Sequence, residues 1–329
     1  MRFSNRPALL PFLQNASASM QLTALLFICI ISGAIFMFIS AALGLIIWNL
    51  PIDAIEQYSK YGDAGIQFLK FSQLLTSVGL FVVPPIAFTY LSGHHPFKFL
   101  KMDRLPLMVL CFSAMILMWV QLPWINAVGA WNNSIVLDGQ FAELYQSLRA
   151  KEDAATAMIE AFLEMNGPLQ LVFTFFLVAI VPAVGEEMLF RGVLQPVFIR
   201  VFKNQHVGIF VTAFVFSFIH FQFFGFVPRL LIGVYLGYLF AWTGNIWYPI
   251  LAHLANNGIA VIGYYMLQHK YIEVSPDAIG TGEMSVLQWM PSVVLTIVGL
   301  VLFKRAAGRL QQPEVELSEV GNNSSEGLS

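Results

Sequence analysis

Two adjacent glutamates, Glu186 and Glu187, followed by Arg191, stand in an apolar stretch that carries no charge from Met165 to Gly185. A charged side chain at bilayer depth costs roughly 2.5–3.5 kcal/mol on insertion scales. Three charges in six residues therefore need partners or a function. On a helix, Glu187 and Arg191 sit at i and i+4 with the acid N-terminal, the favourable order for a pair. Glu186 lies about 100° around the helix and lacks that partner. Low-dielectric surroundings disfavour the charged form of a lone carboxylate and suit it to general acid–base work. The spacing thus divides the pair, with Glu187 and Arg191 as scaffold and Glu186 as the working acid.

Two later apolar runs carry further polar interruptions. His220 sits in Phe216-Ser217-Phe218-Ile219-His220-Phe221, an aromatic setting. Glu186 is 17 residues before Lys203 and His220 is 17 residues after it. A helical hairpin turning at Lys203-Asn204 would bring both side chains to equal depth, about 25 Å from the turn. His253 and Asn257 again sit at i and i+4, on one helical face. Both can donate hydrogen bonds without carrying charge, which suits oxyanion stabilisation. Glu186, His220 and His253 could equally form a His/His/Glu metal site with an open position, as zinc uses. There is no H-E-x-x-H motif. His94, His95, His206 and His269 fall at loops or helix ends and read as interfacial. Arg229 begins a helix and reads as snorkelling to the headgroups.

The elements that position these residues are membrane helices. Of 329 residues, 57% are apolar and 11% charged, with a mean hydropathy of +0.71. Globular domains carry about 25% charged residues. The fold class is therefore all-α and polytopic. Eight segments reach the length of a span: 22–48, 71–93, 107–130, 166–185 (helical on to about 202), 206–223, 227–243, 246–267 and 286–303. Pro84-Pro85 and Pro182 predict kinks in their helices. Gly244-Asn245 marks a tight turn. Residues 7–52 carry no charge, too long an apolar segment for a signal peptide. With both termini cytoplasmic, ten Lys and Arg fall on the cytoplasmic side against five on the other.

Residues 1–21 form the cytoplasmic N-terminal segment and 22–308 the transmembrane domain, with its chemical core at 166–265. Residues 309–329 form a polar, disordered cytoplasmic tail. The loop 131–165 carries Phe141, Leu144, Tyr145 and Leu148, then Met158, Ile159, Phe162 and Leu163, at helical spacing. It reads as one or two amphipathic helices. Cys29 and Cys111 read as packing residues.

The three motifs together, Glu186-Glu187-x-x-x-Arg191, Phe216-x-x-x-His220 and His253-x-x-x-Asn257, resemble those of the CAAX-protease and bacteriocin-processing (Abi) family. These are intramembrane endopeptidases of the type II CAAX prenyl endopeptidase kind. Phe190-Arg191-Gly192 after the double Glu is similar too. The resemblance implies peptide-bond hydrolysis by activated water. Carried over, Glu186 and His220 activate the water, His253 and Asn257 stabilise the oxyanion, and Glu187 and Arg191 hold the geometry. The family is also described as metal-dependent, so a divalent ion such as zinc on Glu186, His220 and His253 is the alternative to chemistry with no obligatory metal.

The implied partners are a membrane-associated protein or peptide substrate and the lipid bilayer, not nucleic acid. The expected location is a bacterial inner membrane. The competing class is a non-catalytic membrane protein, an immunity or scaffold protein or a transporter, that keeps the fold.

Overall fold

A computed structural model describes residues 12–51, 57–281 and 285–311. The expected disordered tail lies almost wholly outside these residues, as do Arg2 and Arg6. Among the described residues the structure is helical, with no strand. Helix α1 is Ala18–Trp48, α2 is Tyr58–Leu91, and α3 (Met108–Val120) and α4 (Leu122–Asn133) form a pair bent by 41°. Helix α5 is Ala142–Leu163, α6 is Pro168–Phe202 and α7 is Gln205–Phe218. Helices α8 (Phe226–Thr243), α9 (Trp247–Gln268) and α10 (Ser285–Gln311) complete the chain.

The chain is a polytopic, all-α membrane protein with six helices long and apolar enough to cross, or seven if α3 and α4 count as one span. One of the eight expected spans, 206–223, differs. Helix α7 has 14 residues and stops at Phe218, not at 223. At 1.5 Å per residue it is about 21 Å long, short of a bilayer core of about 30 Å. Phe221 takes a left-handed backbone conformation, φ 53°, and turns the chain out of helix just after His220. Such a φ is uncommon for a bulky residue and costs of order 1–3 kcal/mol. Asn132 holds the resulting loop, donating to the Phe223 carbonyl (3.1 Å) and accepting from the Val227 amide (2.9 Å).

The prolines expected to kink their helices sit beside π turns. Helices α2 and α6 run through their prolines by widening into π turns at Val78–Val82, Phe176–Ile180 and Phe190–Leu194. Each π turn ends two residues before a proline: Pro84, Pro182 and Pro196. A proline ring clashes with the carbonyl four residues back, and the wider turn relieves it.

Two expected turns are present. Lys203 ends α6 with φ 50°, and the Asn204 side chain accepts from the amides of His206 and Val207 to start α7. Gly244 ends α8 with φ 62°, and Asn245 Oδ1 accepts from the Trp247 amide. Helix α7 thus runs back along α6, and α8 returns antiparallel to α7, with Ser217 bonded to the Phe226 carbonyl. The amphipathic segment is one helix, α5, whose Phe162 packs with Leu69 and Leu177. Phe190, Val193, Phe216, Phe240 and Ile250 form the core around the chemical residues. Large apolar side chains of α1, such as Phe38 and Ile46, point outward as on a lipid-facing helix. Cys29 and Cys111 are free and pack in separate regions.

Candidate active site

Helix α6 carries Glu186, Glu187 and Arg191, all buried, the last two completely. The expected pair is formed: Arg191 Nη1 donates to Glu187 Oε1 at 2.6 Å. The same oxygen faces His253 Nδ1 at 2.8 Å, a contact the i, i+4 argument did not anticipate. A carboxylate only accepts, so Nδ1 of His253 carries a proton and Nε2 is turned toward the site. Glu187 therefore fixes two residues with one atom. Arg191 also donates through Nη2 to the Gly233 carbonyl (3.0 Å) and lies over the Phe216 ring at 4.9 Å. A fully buried guanidinium needs that many partners to offset its desolvation.

Glu186 makes no hydrogen bond among the described residues. Its Oε2 lies 4.0 Å from Nε2 of His253. His220, just past the end of α7, donates from Nδ1 to the Phe216 carbonyl at 2.8 Å, which leaves its Nε2 free. Glu186, His220, His253 and Asn257 line one cavity of about 470 Å³. A proton on Nε2 of His253 as well would make that nitrogen a donor into the cavity.

Asn257 has a job that follows from Pro182. A proline offers no N–H to the carbonyl four residues back, here Val178. Asn257 Nδ2 donates to that carbonyl at 3.2 Å, while its Oδ1 accepts from Asn256. One amide hydrogen of Asn257 therefore closes the backbone of α6, and the other is left for the cavity. Among the described residues no group of three His, Cys, Asp or Glu side chains is placed to hold an ion.

Three residues escaped the sequence reading. Gly233 and Gly237 on α8 let α7 pack close, since a Cβ at Gly233 would lie 3.0 Å from Ala213. Their carbonyls accept from Arg191 and Gln195. The Gly-x-x-x-Gly spacing was the available signal. Arg229, one turn earlier on the same face, is the third. It does not snorkel to the headgroups: it lines the 470 Å³ cavity with Glu186 and His220. Asp277 sits at the cavity's exposed mouth, where surrounding protein raises its carboxyl pKa above the ordinary Asp range. A larger cavity of about 610 Å³, around Lys70 and Glu164, contains none of the motif residues.

All six motif residues fall within one stretch of chain that has known counterparts. Residues 168–259 match the type II CAAX prenyl endopeptidase Rce1-like family. The family resemblance carried by the three motifs therefore holds across α6 to α9. Over 75 residues the chain is 36% identical to the uncharacterized protein YpbD of Bacillus subtilis (strain 168). That stretch is 22% of this chain and 35% of the relative, so the similarity spans about a third of YpbD. No solved structure matches.

Proposed function

We propose that this chain is an intramembrane endopeptidase that hydrolyses a peptide bond of a membrane-associated protein or peptide. The observation that carries the reading is the shared cavity. It brings an unbonded buried carboxylate, Glu186, together with two imidazoles whose Nδ1 atoms are tied back, leaving both Nε2 atoms to the cavity. The match to a peptidase family over the same residues supports it.

In this mechanism Glu186 and His220 hold a water between them. Glu186 takes a proton as the oxygen attacks the substrate carbonyl carbon. The developing oxyanion accepts a hydrogen bond from the free amide hydrogen of Asn257 and, with His253 carrying a proton on both nitrogens, a second from His253 Nε2. The C–N bond then breaks, and the proton on Glu186 passes to the leaving amine. Glu187 and Arg191 position His253 and take no proton. No obligatory metal enters these steps.

The protein is a multi-pass membrane protein, and we place it in a bacterial inner membrane. The cavity is lined by His220, Arg229 and Asp277, at the helix ends opposite the Lys203-Asn204 and Gly244-Asn245 turns. With those turns cytoplasmic, the mouth faces the other side.

The test is cleavage of a quenched-fluorescence library of apolar peptides by the purified chain in nanodiscs. Hydrolysis by the wild type, lost in both Glu186→Ala and His220→Ala, is expected. Turnover that persists in both variants would sink the mechanism. No turnover on any peptide would favour the immunity, scaffold or transport reading.

A further inference from the structure

Arg229 takes no part in the mechanism above, yet its guanidinium lies in the same cavity. Its side chain is held in place. Nη2 donates to Gln222 Oε1 at 2.7 Å, and Gln222 Nε2 is in turn 3.4 Å from Glu152 on α5. The guanidinium folds over Gly225, where a Cβ would lie 3.1 Å from Nη2 and 3.6 Å from Nη1. Only glycine leaves that space at ordinary contact distance. Nη1 is fully shielded by protein and has no hydrogen-bond partner. No carboxylate comes within 4.0 Å of the guanidinium among the described residues. The acids that act on it, Glu152 and Glu186, do so from farther away. A guanidinium is always charged, and a shielded charge without a counterion is costly. The Arg229 side chain lines the cavity that also holds Glu186 and His220.

We infer that Arg229 is a specificity-determining residue that binds a carboxylate of the substrate within the active-site cavity, an inference that rests on the endopeptidase reading. The guanidinium fork matches a carboxylate in two parallel hydrogen bonds, and the Arg229 side chain lines the cavity without a carboxylate within 4.0 Å among the described residues. Asp277 and Glu186 share the cavity and would repel an anion. The carboxylate must therefore sit against Arg229 and away from both. One cavity of about 470 Å³ holds both Arg229 and the Glu186–His220 pair. The carboxylate then falls within a few residues of the bond cut. It has two sources, the peptide's own C-terminus or an acidic side chain.

The experiment measures binding without turnover. The full chain carrying Glu186→Gln, in nanodiscs, is titrated with dansylated apolar decapeptides. One pair differs only in a C-terminal acid or amide. A second, amidated, pair differs only in one Asp or Asn. The carboxylate form is expected to bind at least tenfold tighter in one pair, and that pair names the source. Adding Arg229→Gln should erase the preference, and adding Arg229→Lys should keep part of it. No preference for the carboxylate in either pair overturns the inference, even if Arg229→Gln fails to fold. So does a preference that survives Arg229→Gln. Wild-type hydrolysis of the library is read separately, so a failed protease reading and a failed Arg229 assignment give different results.

Discussion

Replacing Glu187 with Gln should unfold the site, whereas the same change one residue earlier should not. Glu187 Oε1 receives Arg191 Nη1 at 2.6 Å and His253 Nδ1 at 2.8 Å, with Glu187 and Arg191 both 0% exposed. Among the described residues Glu187 is the only carboxylate in contact with Arg191, so Glu187→Gln leaves a buried guanidinium without a contacting counterion. Breaking a buried pair this way costs about 3–5 kcal/mol. The lost charge on the His253 bond is not simply added, because the two bonds share one oxygen. Glu186 accepts no hydrogen bond, so Glu186→Gln should change stability by less than about 1 kcal/mol. The assay is SDS-driven unfolding in mixed micelles, followed by tryptophan fluorescence. A double variant, Glu187→Gln with Arg191→Met, removes both charges. It should be at least 1 kcal/mol more stable than the sum of the single losses allows. A Glu187→Gln protein within 1 kcal/mol of wild type, or strict additivity in the double variant, would refute the scaffold role.

Three further outcomes follow from the same geometry. Asn257→Ala orphans the Val178 carbonyl and should cost about 1–3 kcal/mol. Adding Pro182→Ala returns a backbone N–H and should recover stability but not activity, as unfolding and turnover measured together would show. Gly233→Ala drives a Cβ to 3.0 Å from Ala213 and 3.3 Å from Phe216, displacing the carbonyl that holds Arg191. It should lower both folded yield and turnover. Asp277→Cys in intact cells should react with a membrane-impermeant maleimide from outside, and protection there would invert the proposed topology.

Much of the site was legible because helical periodicity is rigid. The i, i+4 spacing of Glu187 and Arg191 translated directly into a 2.6 Å pair. Glu186 and His220, equally distant from Lys203 in sequence, line one cavity, although α7 ends before His220. What periodicity could not show was contact between helices. His253 on Glu187 joins α9 to α6, and no spacing rule relates residues 66 positions apart. Arg229 was misread because its position, at a helix start among apolar residues, is where a snorkelling arginine would also sit. Its face could have been inferred from Gly233 and Gly237, which follow at four-residue steps. The prolines were visible, but their effect was not. Whether a helix kinks or widens depends on neighbours such as Asn257 that accommodate the freed carbonyl.

The central claim is that Glu186 is the working acid of a peptidase. The most direct measurement is peptide turnover by Glu186→Gln against wild type, at equal folded fraction fixed by the unfolding assay. The account predicts a loss of about 10²–10⁴-fold with stability nearly unchanged. Turnover within tenfold of wild type, in a protein that remains folded, would contradict it.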